Sequence, residues 1–293
     1  MNEPATDLKP PPLLSGLHEI AEQYDHFILD IFGVIHDGLR PFEGTVRCLK
    51  ALKDAGKQTC LLSNSPRRVA GATGQMELMG IPRDLYDHAV TSGEATYLAL
   101  RDRDETLGDD CWFIGTPAVS EILDGLDLNL VDGPENASFI LNSIPGTEAS
   151  VVEVLKTQLQ MAADRGLPMI CANPDLVVNI GDTQYQCAGT FAAYYEDDLG
   201  GKVIYHGKPH APVYKMCYEL LGKPDKSKIC AIGDSFHTDI TGANSFEIDS
   251  LMNLVGIHWE EILTAGRIDP KKMHAMLVNA STHPTYMLAG FDW

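Results

Sequence analysis

Apolar residues along this chain fall into two kinds of run. Some are short and continuous: Phe27-Ile28-Leu29, Cys60-Leu61-Leu62 and Ile229-Cys230-Ala231-Ile232. Runs of that length, bounded by turn residues, predict strands covered on both faces. Others recur every third or fourth residue. Val46, Leu49, Leu52 and Ala55 predict a helix that stops at Gly56, and Val151, Leu155, Leu159 and Ala162 predict a longer one. Shorter helices are expected from Ser15 over Leu17, Ile20 and Ala21, from Pro66 to near Gly80, over 211–222, from 237 onward and over 258–265. Between 34 and 44, Asp37-Gly38 and Pro41 mark the turns of a small hairpin.

Strand and helix alternating at short spacing predict a parallel sheet in an α/β fold. The rhythm starts near residue 15 and returns late in the chain. The middle carries its own strands, in Cys111-Trp112-Phe113-Ile114, Phe139-Ile140-Leu141 and Met169-Ile170-Cys171. The simplest organisation is a discontinuous core, residues 15–92 plus 207–293, with a second α/β domain inserted at 93–206 and a loose tail at 1–14.

Composition narrows the function. Asp and Glu number 41 against 22 Lys and Arg, a net charge of -19, which repels phosphate backbones and argues against nucleic acid as a general partner. The seven cysteines are scattered and form no C-x-x-C pair, so neither a zinc site nor a redox motif is signalled. This usage suits a reducing compartment. No signal-peptide pattern opens the chain and no apolar run reaches membrane-spanning length. A soluble, cytoplasmic protein is expected.

The strand ends carry the chemistry. The first run ends in Asp30, the second in Ser63-Asn64, the third in Gly233-Asp234. Ligands of open parallel sheets bind at the carboxyl ends of strands. Singly, each residue reads as a turn, cap or surface group. Together, at three strand ends, Asp30, Ser63 and Asp234 read as one site, with Asp239 five residues on. Converging carboxylates raise one another's pKa unless a cation intervenes, and an all-oxygen site suits Mg2+. Lys208, held in a loop between Gly207 and Pro209, is the candidate to complete the neutralisation of an incoming phosphate.

These segments resemble the signature motifs of the haloacid dehalogenase superfamily. Leu29-Asp30-Ile31-Phe32-Gly33 looks like the first, Leu61 to Ser65 the second, His206 to His210 the lysine motif, and Ile232 to Asp239 the fourth. Cys171 to Asp175 followed by Gly207-Lys208-Pro209 is similar to subclass IIA, the NagD-like predicted sugar phosphatases. The resemblance implies a Rossmann-like core with an inserted C2-type cap, and pairing of subunits through the cap as a homodimer. It implies that Asp30 is the nucleophile, that Mg2+ is held by Asp30, the backbone carbonyl of Phe32 and Asp234 with Asp239 nearby, and that Ser63 and Lys208 hold the phosphoryl oxygens of a small phosphorylated substrate. Asn64 lies in the second motif. Asn173 and Asp175, in the loop that faces the site in the family, become candidate substrate contacts.

The first motif is degraded. Family phosphatases carry an acid two residues after the nucleophile, and here that residue is Phe32. A positioned acid or base is worth about 10²–10⁴-fold in rate, so sugar esters, with poor leaving groups, suffer more than acyl or aryl phosphates. His36, His206 and His237 are the titratable substitutes, His36 first because it shares a loop with Asp30. Two further readings are a degenerate phosphate-binding sensor and a C–P or C–halogen hydrolase. The first kind of cleavage needs a cap lysine, and only Lys156 and Lys202 occur between 93 and 206. Dehalogenation needs no metal and leaves Asp234 unexplained.

Overall fold

A computed structural model of the chain describes residues 10–144, 147, 149–180 and 183–293. In chain order its strands are β1 (Leu13–Leu14), β2 (His26–Asp30), β3 (Gln58–Ser63), β4 (His88–Thr91), β5 (Asp110–Ile114), β6 (Asn129–Val131), β7 (Phe139–Asn142) and β8 (Met169–Cys171). They continue as β9 (Val177–Ile180), β10 (Thr183–Gln186), β11 (Val203–Tyr205), β12 (Ile229–Gly233), β13 (Asp249–Asn253), β14 (Leu263–Thr264), β15 (Arg267–Ile268) and β16 (Tyr286–Leu288). The chain divides into two compact units. One gathers the chain up to Leu62 with Met79–Ala89 and Tyr214–Trp293, the other Ser63–Leu78 with Val90–Val213.

The first unit is built on a seven-stranded sheet in the order β1-β16-β13-β12-β2-β3-β4. Leu29 of β2 is in register with Ile232 of β12 on one side and Leu61 of β3 on the other, both parallel. Phe27, Ile28 and Leu29 are all buried, as expected of a strand covered on both faces. From β2 the chain steps one way to β3 and β4 and later the other way to β12 and β13. Such a reversal opens a crevice at the carboxyl end of the central strand, where β2 ends in Asp30.

Helix Thr45–Asp54 forms where predicted and stops at Ala55, with Gly56 at φ 68°. It buries Thr45, Cys48, Leu49 and Leu52, whereas Val46 is 40% exposed. The buried stripe is thus rotated from the expected one, because Cys48 packs as a small apolar residue. The turn after Ser15 is a single 3-10 turn, Leu17–Glu19, and the Ser15 hydroxyl donates to Glu19 Oε1 (2.6 Å) instead of capping a backbone N–H. The helix expected from Pro66 starts at Val69, and the one expected over 258–265 is the short Trp259–Ile262 followed by β14.

Two corrections concern the termini. The expected loose tail ends earlier than 14: Leu13 and Leu14 pair in parallel with Met287 and Leu288, while residues 1–9 lie outside those described. Helix Pro270–Asn279 and β16 carry little periodic signal. The helix is started by Asp269, whose Oδ1 accepts from the Lys271 N–H (2.9 Å), and its Leu277 packs with Ile240, Met252, Leu254, Ile262 and Met287.

The second unit holds a five-stranded sheet, β11-β8-β7-β5-β6. Alternate residues face two cores. Trp112, Ile114 and Ile140 pack with Leu159, Met169, Phe191 and Tyr195, whereas Cys111, Phe139 and Leu141 pack with Leu100, Ile122 and Ile170. Helix Ala149–Asp164 meets the first of these cores through Leu155, Leu159 and Ala162, and the side chain of Val151 lies outside the described residues. All seven cysteines are buried without a disulfide, and burial pushes the thiols of Cys111, Cys171 and Cys187 up to about 12. Among the described residues no helix is long and apolar enough to cross a membrane.

Candidate active site

Three buried carboxylates meet in the first unit. Asp30 ends β2 and its Oδ1 accepts the Ile31 N–H at 2.8 Å. Asp234 follows β12 directly and its Oδ2 accepts the Ile257 N–H at 2.8 Å. Asp239 lies in the turn Phe236–Ile240, which Ser235 starts by accepting from the Thr238 N–H, and its Oδ2 accepts from the Ser235 N–H at 3.2 Å. Each acid is exposed by 8% or less, and each offers an oxygen within 4.8 Å of the other two. Carboxylates at that separation repel strongly once out of bulk water. The group consists of oxygen donors only, which is the chemistry of a hard cation and not of zinc or copper.

Backbone shape makes this approach possible. Gly33 has φ 90°, and a Cβ there would fall 2.0 Å from Asp234 Oδ2. Gly256, on the loop that supplies the Ile257 N–H, would clash with the same carboxylate. Asp234 is therefore seated between two turns that admit no side chain.

Phe32 does not point a polar group anywhere. Its ring meets the His36 ring edge-on, with centroids 5.7 Å apart and planes at 84°, and covers Gly38, where a Cβ would fall 2.8 Å from Phe32 Cε2. His36 is buried, and its Nδ1 accepts the Gly38 N–H at 3.0 Å. That bond assigns the ring proton to Nε2. Burial also lowers the pKa of His36, so the ring is neutral with its lone pair engaged. This arrangement suits a structural residue of the hairpin. His237 is exposed, and His206 is partly buried with its pKa lowered by burial and by His210.

A separate cluster forms in the second unit, with Asn64 at its centre. Asn64 Oδ1 accepts from the Lys208 N–H (2.7 Å) and the Ser92 hydroxyl (3.2 Å), and its Nδ2 donates to the Lys208 carbonyl (3.1 Å) and to Asp175 Oδ1 (2.8 Å). Every hydrogen-bonding position of the amide is used. The Asp175 N–H donates to Asn173 Oδ1, and Ser63 Oγ accepts the Ser65 N–H, both at 3.1 Å. Gly207, at φ 140°, lets the chain approach, since a Cβ there would fall 2.3 Å from Ser92 Oγ. Lys208 itself is 3% exposed.

The candidates named from the sequence thus fall into two groups. Asp30, Asp234 and Asp239 come together in the first unit; Ser63, Asn64, Asn173, Asp175 and Lys208 come together in the second. Two buried polar residues were missed. Ser92 opens the helix Ser92–Arg101, and its signal was Thr91-Ser92-Gly93-Glu94, in which Thr91 accepts the Glu94 N–H as a helix cap. Asn253 ends β13, and its signal was one amide inside the apolar run Leu251 to Val255.

Comparison with known proteins is consistent with this geometry. A family model described as haloacid dehalogenase-like hydrolase matches residues 27–129, and a second, HAD-hydrolase-like, matches residues 205–280. The crystal structure of a haloacid dehalogenase-like hydrolase from Brucella suis 1330 is 33% identical and superposes with a TM-score of 0.79 over 95% of this chain and 100% of that one. The 5'-nucleotidase YutF of Bacillus subtilis is 20% identical over 245 residues, 82% of this chain and 91% of the relative. An acid sugar phosphatase of Staphylococcus saprophyticus is 20% identical over 250 residues, 85% of this chain and 93% of the relative.

Proposed function

Since the chain belongs to the haloacid dehalogenase-like hydrolase family, subclass IIA, we propose that it hydrolyses phosphate monoesters of a small metabolite, with Asp30 as nucleophile and Mg2+ as cofactor. The observation that carries this reading is the meeting of three buried carboxylates behind the carboxyl ends of two adjacent parallel strands. Asp30, Asp234, Asp239 and the backbone carbonyl of Phe32 would hold the cation. When bound, it neutralises the acids and polarises the phosphoryl oxygens.

Asp30 attacks phosphorus, the P–O bond to the leaving alcohol breaks, and the phosphoryl group rests on the Asp30 carboxylate until water removes it. Ser63 and Lys208 steady the phosphoryl oxygens, and residues 93–206 act as the cap whose Asn173 and Asp175 meet the rest of the substrate. Phe32 supplies no proton to the departing oxygen. The reading therefore favours substrates that leave without one: acyl and aryl phosphates before sugar phosphates or nucleoside monophosphates. Buried, unbridged cysteines support a reducing, cytoplasmic setting.

Phosphate release from a panel of these four ester classes, with Mg2+ and then with excess chelator, tests the proposal. Metal-dependent release is expected, fastest from aryl and acyl phosphates. No release from any class, together with tight binding of inorganic phosphate, would establish a second reading, a phosphate sensor. One observation favours that reading: the Phe32 ring is packed against His36 and over Gly38, where family phosphatases present an acid.

A further inference from the structure

We infer that Asn253 is a positioning residue for the metal site, an amide staple that holds the two turns on either side of Asp234. This rests on the metal reading proposed above. Asn253 is 1% exposed at the carboxyl end of β13, among Leu251, Met252 and Leu254. Its Nδ2 donates to the Gly33 carbonyl at 2.9 Å and to the Val255 carbonyl at 2.6 Å. Both partners are acceptors, so the orientation of the amide is determined by its surroundings.

The two carbonyls belong to the turns that seat Asp234. Gly33 lies three residues after Asp30 and against Asp234, and its N–H donates to the His36 carbonyl at 3.0 Å. Val255 precedes Gly256, which also lies against Asp234, and Ile257, whose N–H donates to Asp234 Oδ2. One side-chain nitrogen, 220 residues from Gly33 along the chain, therefore ties the turn after the nucleophile to the turn that orients the second acid.

The other end of the amide carries a cost. Asn253 Oδ1 is buried with no hydrogen-bond partner. That unpaired oxygen is a cost set against the two hydrogen bonds made by Nδ2. Groups that orient metal ligands from behind commonly change metal affinity by about 10–100-fold when removed.

The test is Asn253→Leu, with Asn253→Asp as an isosteric second variant and Met252→Leu as a control on the same strand. Hydrogen exchange of the metal-free proteins should show the Gly33 and Ile257 amides exchanging about tenfold faster in both Asn253 variants, with the Thr59 amide unchanged. Mg2+ titration by calorimetry should show affinity about 10–100-fold weaker in Asn253→Leu, whose Tm falls because the Gly33 and Val255 carbonyls lose their donor, while Met252→Leu keeps both affinity and exchange. Unchanged exchange at Gly33 and Ile257 would overturn the staple. Affinity lost equally in Met252→Leu, or retained within twofold in both Asn253 variants, would overturn its role toward the metal. Should the parent itself bind no Mg2+, the metal reading fails, and the exchange data still decide whether Asn253 holds the turns.

Discussion

The two clusters of buried polar groups solve opposite problems. In the first unit, three acids of one sign are held within 4.8 Å of one another by backbone N–H donors and by glycine turns. In the second, one amide joins a lysine backbone, a serine hydroxyl and a carboxylate into a network in which each of its donors and acceptors is used. The acidic cluster offers oxygen donors only, the chemistry that suits a hard cation. In the amide-centred network every position of the Asn64 amide is already used. Substitution should therefore act on chemistry in the first and on both chemistry and stability in the second.

The largest effect should come from Asp30→Asn. Turnover should drop by about 10⁴-fold or more, as for removal of other nucleophiles, while the metal-free protein melts close to the parent's temperature, because the substitution is isosteric and Asn Oδ1 can still accept the Ile31 N–H. Phosphate release and a melting curve on the same sample check both halves. A large loss of stability would show that the cluster is structural, and the contrast would fail.

Phe32→Asp should come next. Adding the acid should raise turnover of alkyl phosphates relative to aryl phosphates by about 10²-fold, with a lower Tm because the ring no longer packs on His36 and Gly38. Slower alkyl turnover would mean that the ring itself aids the reaction. Asn64→Leu should cut kcat/KM by about tenfold or more through loss of the Lys208 backbone clamp, and destabilise by about 1–3 kcal/mol because the Lys208 N–H and carbonyl lose partners in a buried place. Denaturant unfolding separates the two. Intact stability here would break the comparison from the other side.

The smallest expected effect is on pH. Burial lowers the pKa of His36 below its ordinary value of 6.5, so the folded protein resists protonation at a pH where the unfolded chain accepts it. Stability should be full above pH 6.5 and fall as pH drops through that value, by up to about 1.4 kcal/mol per pH unit for this one proton. His36→Asn should flatten the slope in urea titrations between pH 7.5 and 5.5.

Much of this is legible in the sequence. Continuous apolar runs marked β2, β3 and β12 because strands covered on both faces need no polar alternation. Asp30 and Asp234 followed from where two of those runs stop, and Asp239 from its place five residues beyond Asp234. The buried face of a helix was read less well where residues compete for it, as in helix Thr45–Asp54, where Cys48 took the place expected of Val46. The edge strands β1 and β16 were not legible, since two or three residues carry no period.

The sequence by itself determined the α/β class, the strands that end in acids, and the aromatic at position 32. Only the tertiary structure decided that Asn64 would be a hub, that His36 would give its lone pair to Gly38, and that Asn253 would reach Gly33. The reason is physical. Local periodicity reflects which face of a segment meets apolar neighbours, and a few residues suffice to show it. A buried amide's partners are chosen by register between segments 144 or 220 residues apart, and nothing local to either segment encodes that meeting.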